Sequence, residues 1–180
     1  MAIWAVTLLI LFLVFCFCFF VAISYNIIFA WLLPLFMGGA FFANTNAELV
    51  KKMIALADIK PGDKAVDIGS GDGRLVIALA KAGAQTHGYE INPFLVLRSR
   101  RNIKKAGLEG KAFIHLSNFW NEDFSQYNVV SLFQIAHTMV KLEDKLKKEL
   151  RPGTRIISNY FVFPTWQPVG QNNEIRLYKM

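Results

Sequence analysis

The sequence predicts an α/β domain, a mostly parallel sheet with helices on both faces, carried behind one N-terminal transmembrane helix. Three observations predict it. Beyond residue 44 short apolar runs alternate with amphipathic stretches of helical length, the pattern of strand–helix units in a parallel sheet. Within that region Val66-Asp67-Ile68-Gly69-Ser70-Gly71-Asp72-Gly73-Arg74 runs from a buried strand through a glycine-rich turn into a helix. Ahead of it, residues 2–23 are apolar except for Thr7.

The apolar run comes first. At ~1.5 Å per residue it reaches roughly 33 Å, enough for a ~30 Å hydrocarbon core. Trp4 marks one expected interface, and Tyr25 and Trp31 the other. No Lys or Arg precedes the run, and it is longer than the apolar part of a signal peptide, so a retained anchor is the better reading. A second apolar stretch, residues 27–42, follows Ser24-Tyr25-Asn26 and is interrupted by Pro34 and Gly38-Gly39. It is expected to lie in the interface or against the domain rather than to span again. Residues 1–43 therefore form anchor and apolar linker, and residues 44–180 the domain.

Apolar residues make up 54% of the 180, and their excess lies in this front segment. No charged side chain precedes Glu48, so the domain carries the whole net charge of +7. With every Lys and Arg C-terminal to the anchor, the positive-inside rule places the domain on the cytoplasmic side, or the matrix side of a mitochondrial inner membrane. Such a domain favours anionic membrane lipid as a partner, by about 1 kcal/mol per basic residue near the surface. Cys16 and Cys18 lie two apart in the apolar run. On a helix they face different ways and read as lipid-facing residues, neither a disulfide nor metal ligands; no metal is expected.

The domain then reads in order. Asn44-Thr45-Asn46 offers an N-cap for a helix over 47–57, whose apolar face is Leu49, Met53, Ile54 and Leu56. Pro61-Gly62-Asp63 is a turn. Residues 65–68 form the first strand, and a helix opens at Asp72 and ends at Gly83. Residues 86–90 form the second strand. Asn92-Pro93 starts a helix to about 106 that carries Arg98, Arg100, Arg101, Lys104 and Lys105. Strands are expected over 111–115 and 127–135, a helix over 139–150, and strands over 154–161 and 174–179. Only residues 117–126 link the third and fourth strands, too few for a full crossover helix, so the fold looks trimmed.

The glycine turn narrows the ligand. Neither the dinucleotide spacing G-x-G-x-x-G nor the phosphate loop G-x-x-x-x-G-K-[ST] fits. Asp67 puts a carboxylate just before the glycines, where it would repel a pyrophosphate and suit an ammonium or sulfonium. Glu90 ends the second strand, the position that takes ribose hydroxyls in doubly wound sheets. One carboxylate for a cationic amino-acid end and another for a ribose describe S-adenosyl-L-methionine.

On these residues the chain resembles the class I (seven-strand, Rossmann-like) S-adenosylmethionine-dependent methyltransferases: Asp67-Ile-Gly-Ser-Gly-Asp-Gly-Arg74, then Gly88-Tyr-Glu-Ile-Asn-Pro93. Gly88-Tyr-Glu-x-Asn-Pro, Leu116-Ser-Asn-Phe-Trp120 and Phe161-x-Phe-Pro-x-Trp166 together resemble one branch, the small membrane-anchored protein-lysine methyltransferases. That branch includes the mitochondrial enzymes acting on the adenine nucleotide translocator and on the c-ring protein of ATP synthase. The resemblance runs from about Phe41 to the end.

The expected cofactor site follows. Gly69, Ser70, Gly71, Asp72 and Gly73 approach the methionine and ribose. Asp67 faces the amino-acid end, directly or through water. Glu90, followed by Ile91 and Asn92, accepts from the ribose. The resemblance puts an acidic adenine contact where this chain has Asn118, whose carbonyl oxygen still accepts from an amine. Phe119 and Trp120 wall the adenine or serve as ordinary core aromatics.

After the fourth strand, methyltransferases of exocyclic or amide nitrogens carry Asn/Asp-Pro-Pro-aromatic. Phe133-Gln134-Ile135-Ala136-His137 departs from this and argues against nucleic-acid adenine and glutamine substrates. Gln134 and His137 stand where a substrate amine enters, His137 being a general base or a plain helix-start residue. Tyr160, Phe161 and Trp166 line the entry for an alkylammonium through cation–π contact, or are structural. A lysine must lose its proton first, at roughly 4.6 kcal/mol at pH 7. Desolvation and the nearby sulfonium lower that cost, so no base is assigned.

With no inserted lid visible, the open domain suits a macromolecule that covers the site itself. The resemblance implies an integral membrane protein with a lysine near the bilayer. A lipid or quinone-precursor substrate is the alternative among enzymes. Nucleic acid ranks below both, because a basic run such as 98–105 more often faces solvent or lipid. A cofactor-binding protein without turnover is the alternative outside enzymes.

Overall fold

The computed structural model describes residues 3–36 and 45–180, with the side chains of residues 29–31 and 33–36 excepted. Residues 37–43 of the expected linker, with Gly38-Gly39, and Asn44 lie outside the described residues, as do the side chains of Trp31 and Pro34.

Helix α1 spans Ile3–Phe36, and its segment Ile3–Ile28 is long and apolar enough to cross a bilayer and is not buried by the rest of the chain. The expected interruption at Ser24-Tyr25-Asn26 does not occur, and residues 27–36 continue the same helix. The reason is local: Asn26 Nδ2 donates to the Ala22 carbonyl (2.7 Å), as Thr7 Oγ1 does to Ile3 (3.1 Å). Polar side chains bonded back to the previous turn are accommodated in an apolar helix.

Helix α2 (Ala47–Ala57) starts at Asn46, whose side chain accepts from Leu49 N at 2.8 Å. The domain then alternates as expected: β1 (Lys64–Ile68), α3 (Arg74–Lys81), β2 (Gln85–Glu90), α4 (Pro93–Lys105), β3 (Ala112–Leu116), β4 (Val129–Leu132), α5 (Ala136–Glu149), β5 (Arg155–Asn159), β6 (Gly170–Asn172) and β7 (Ile175–Lys179). The sheet order is β3-β2-β1-β4-β5-β7-β6. Strands β1 to β5 are mutually parallel, and β7 runs antiparallel between β5 and β6. All five parallel strands thus end on one edge. Chain order reverses between β1 and β4, the switch point at which such sheets bind ligands.

Alternation along the strands sorts the core. Ala65, Val129 and Ile157 pack with Met53, Ala57, Leu75 and Leu79 of α2 and α3, while Ala112 and Ile114 meet Val96 and Ile103 of α4. Val66, Ile68, Val130, Leu132 and Ile156 pack on the other face against Met139, Leu142 and Leu146 of α5. Each fully buried side chain of this size contributes about 1.5–3 kcal/mol. Only a 3-10 turn, Phe119–Asn121, lies between β3 and β4, so the expected trimming is real. Aromatic residues, including Phe124 and Tyr127, fill that face instead.

Four boundaries differ from expectation. The helix after the glycine turn begins at Arg74, not Asp72, because Gly73 sits left-handed at its N-cap (φ 79°). Strand β4 stops at Leu132, and α5 begins at Ala136; the apolar run continued to Ile135 because Tyr127 is core and Phe133 and Ile135 are half-buried. Strand β5 stops at Asn159, since Tyr160 turns left-handed (φ 68°). Strand β6, Gly-Gln-Asn, has no apolar alternation and was not expected.

Candidate active site

The site is built where β1 meets the glycine loop. Gly69 N and Ser70 N both donate to the Tyr89 carbonyl at 3.0 Å, pinning the loop to the end of β2. Gly69, Gly71 and Gly73 take φ of 78°, 55° and 79°. At Gly73 the requirement is double: a Cβ would also lie 2.2 Å from Ser99 Oγ on α4. The loop therefore folds tightly only with glycine there.

Two buried carboxylates stand beside this loop. Asp67, 5% exposed, accepts from Ser131 Oγ on β4 at 2.8 Å. Burial pushes its carboxyl up to about 7, against the pull of the Ser131 bond and reinforced by the charges of Glu90 and Asp72. Glu90 accepts from Gly71 N (2.8 Å), Ile91 N (2.9 Å) and Asn92 N (2.8 Å). Burial raises its carboxyl too, opposed by those backbone donors. Oε1 takes two of the three bonds, which leaves Oε2 with a lone pair to spare.

Gln134 closes the site from the end of β4. It is 3% exposed, and its Nε2 donates to the Ile68 carbonyl at 3.0 Å, over Gly69. Its Oε1 is buried without a partner, as is Ser70 Oγ in the loop itself. Buried polar atoms are nearly always bonded; two orphans at one loop mark a place for a polar ligand. An ammonium-bearing, hydroxyl-bearing molecule fits these acceptors: two carboxylates, an amide oxygen and a hydroxyl.

The other expected cofactor residues divide. Asp72 is held by both Arg74 Nε (2.9 Å) and Nη2 (2.8 Å), which keeps its carboxyl low, with Arg98 at 3.8 Å. Its carboxylate braces the loop. Asn92 Oδ1 caps α4, accepting from Phe94 N at 2.9 Å. Asn118 Oδ1 accepts from Trp120 N (3.1 Å), capping the 3-10 turn. Phe119 is buried in the core, and its ring lies 4.7 Å from that of half-buried Trp120, over which sits Lys141 Nζ at 4.6 Å.

The substrate-entry candidates also divide. Tyr160, 61% exposed, is edge-on to Phe161 at 5.0 Å, and Phe161 stacks on Phe133 at 6.3 Å. The left-handed backbone of Tyr160 is held by its N–H on the Glu174 carbonyl (2.9 Å) and by Arg176 Nη1 on its own carbonyl (2.8 Å). A strained non-glycine residue held this firmly belongs to the class found at binding sites. His137 is exposed on the first turn of α5. Trp166 is not at the entry: it packs on Phe163 (5.5 Å) and Tyr178 (6.0 Å), under Lys147 of α5. It covers the sheet face that lacks a crossover helix. Ser131 was missed in the sequence; its one signal is a hydroxyl in the otherwise apolar strand Val129–Leu132.

Seven strands in the order 3-2-1-4-5-7-6, with acidic ends on β1 and β2 flanking a glycine loop, define a class I methyltransferase. Residues 67–170 match the family described as the ANTKMT methyltransferase domain. A Mus musculus lysine N-methyltransferase named for the c-ring protein of ATP synthase is 48% identical over 127 residues, 71% of this chain and 51% of that protein. A protein-lysine N-methyltransferase of Saccharolobus islandicus is 36% identical over 129 residues, 71% of this chain and 80% of that protein. A solved RNA methyltransferase from Salinibacter ruber, in complex with S-adenosyl-L-homocysteine, superposes with a TM-score of 0.71 at 33% identity, covering 76% of this chain and 92% of that one. The chain spans about half the length of the curated ATP synthase methyltransferases it matches. It belongs to the ANTKMT methyltransferase-domain family.

Proposed function

We propose that the protein is an S-adenosyl-L-methionine-dependent N-methyltransferase acting on a lysine side chain of a protein, itself a membrane protein. The observation that carries this reading is the pairing of a buried, ligand-ready acidic site (Asp67, Glu90, Gln134) with 36% identity across most of a protein-lysine N-methyltransferase. The cofactor, when bound, supplies an electrophilic methyl group and leaves as a neutral thioether.

The chain's own residues do the rest. Asp67 accepts from the α-ammonium, and that neighbouring cation holds the carboxylate ionised despite its burial. Gln134 Oε1 gains a donor on the same side. Glu90 Oε2 accepts from a ribose hydroxyl. Trp120 and the Asn118 turn border the adenine. At the entry, Tyr160, Phe161 and Phe133 offer aromatic faces to the target alkylammonium. Their low dielectric favours its neutral form, offsetting part of the roughly 4.6 kcal/mol that deprotonation at pH 7 costs. Much of the remaining acceleration comes from alignment. No base is needed, and His137 is read as a helix-start residue.

Helix α1 anchors the domain to a membrane, facing the cytoplasm or, in a mitochondrion, the matrix, because every basic residue follows the anchor. Anionic lipid is the second partner. The test is methyl transfer from radiolabelled S-adenosylmethionine into native membranes, by the wild type and by an Asp67→Ala, Glu90→Ala double variant. Label recovered as methyl-lysine and lost in the variant supports the reading. Label in lipid moves the assignment to a lipid or quinone precursor, and label in RNA to the substrate class of the Salinibacter structure. No label despite cofactor binding leaves a binding protein.

A further inference from the structure

Seven large apolar side chains of the domain are well exposed among its described residues: Phe94, Leu97, Leu116, Val140, Tyr160, Val162 and Val169. Their distribution is one-sided. Phe94 and Leu97 lie in the first turns of α4, Leu116 ends β3, Val140 lies near the start of α5, and Tyr160 and Val162 follow β5. Because β1 to β5 are parallel, all six stand on the edge where those strands end, around the glycine loop. The opposite edge, with Lys60, Lys81, Glu109, Lys111 and Arg151 exposed, holds none of them. Scattered single apolar residues are ordinary on a protein surface, but six collected on the rim of one site are not.

The chain enters the domain at that same rim. Arg74 Nη1 donates to the Thr45 carbonyl at 2.6 Å while the same guanidinium grips Asp72 in the glycine loop. Thr45 is nine residues beyond Phe36, the last residue of α1. Chain geometry limits that connection to roughly 30 Å. A helix seated in a bilayer therefore tethers the domain by its ligand-binding edge. Arg98 and Lys141, both exposed, add positive charge beside the apolar rim, the combination that suits an anionic interface.

We infer that the rim of the active site is itself the membrane-docking surface, so that the mouth opens onto the headgroup layer of an anionic bilayer. This rests on the reading of α1 as an anchor. The bilayer then does what a lid does in other enzymes: it excludes bulk water from the mouth. It also selects lysines that emerge within the interface over those on soluble proteins. Phe94, Tyr160 and the aliphatic side chains bury in the interface while the loop and both carboxylates lie above it.

The test uses the full chain with Cys16→Ala and Cys18→Ala, so that single cysteines can be labelled. An environment-sensitive fluorophore is placed by Leu116→Cys or Val162→Cys on the rim, and by Glu109→Cys on the opposite edge. The chain is reconstituted in phosphatidylcholine–phosphatidylserine vesicles containing nitroxide-labelled lipid. Both rim probes should be quenched several-fold more than the Glu109 probe. Equal quenching, or stronger quenching at Glu109, overturns the inference. A chain that washes off the vesicles in alkali overturns the anchor reading and the inference with it; a chain that stays with an unquenched rim overturns the inference alone. In parallel, Leu116→Glu with Val162→Glu should retain affinity for S-adenosylhomocysteine while methyl-lysine formation in native membranes falls on the order of tenfold. Full activity of that variant would also overturn it.

Discussion

Asp67→Asn should stabilise the ligand-free protein while destroying its affinity for cofactor. The carboxyl is buried and pushed up to about 7 from an ordinary 3.8. Its folded-state value is raised, so its contribution favours folding fully below the unfolded value and is lost as pH rises through about 7. At pH above that, holding the ionised group inside costs at most about 4 kcal/mol, the free-energy equivalent of the difference. Asn removes the charge and still accepts from Ser131 Oγ, which donates to Asp67 at 2.8 Å in the wild type. Thermal melting of the full chain in detergent is the assay. At about pH 8 the variant should melt higher by roughly 4 °C per kcal/mol recovered, and at about pH 3 the two should coincide. Calorimetry with S-adenosylhomocysteine should show wild-type affinity rising up to tenfold per pH unit below about 7 and then levelling, with the variant weakened and flat. Identical melting at high pH, or a wild-type affinity independent of pH, would refute the placement of a strained carboxylate opposite an ammonium.

Three further outcomes follow from neighbouring residues. Gly73→Ala should cost about 2–5 kcal/mol, from a left-handed φ and overlap with Ser99 Oγ. Adding Ser99→Ala should recover only the overlap, read as partial recovery of the melting temperature. Glu90→Gln sets an amide N–H₂ against backbone donors that now find a carboxylate, so denaturant titration should show a loss of about 1–3 kcal/mol, with cofactor affinity falling at least about tenfold. Tyr160→Gly relieves the αL backbone, worth about 1 kcal/mol, so melting should not fall, while loss of the aromatic entry should lower kcat/KM on the methyl-accepting substrate.

The parts of the site legible in the sequence were those whose residues are demanded by backbone geometry or charge. Gly73 needs its positive φ, Asp67 and Glu90 sit at strand ends, and Asn46 and Asn92 cap helices. The parallel sheet followed from the alternation of strands and helices, and its trimming from the short 117–126 link. What escaped was set by tertiary contacts. Ser131 reads as one hydroxyl in a strand until the register pairs it with Asp67. Trp166 looked like an entry residue because it follows Tyr160 closely, but the chain after β5 folds back and buries it on Tyr178. The helix break at Ser24-Tyr25-Asn26 failed because Asn26 satisfies itself on Ala22. The three-residue strand β6 exists only because β7 offers it an edge.

The most direct test of the central claim is a mass-spectrometric inventory of lysine methylation in membranes from cells with the wild-type chain and with the Asp67→Ala, Glu90→Ala variant. Methyl-lysines present with the wild type, absent with the variant and confined to membrane proteins near the bilayer surface are the predicted result. An unchanged lysine inventory, or differences confined to soluble proteins, would contradict it.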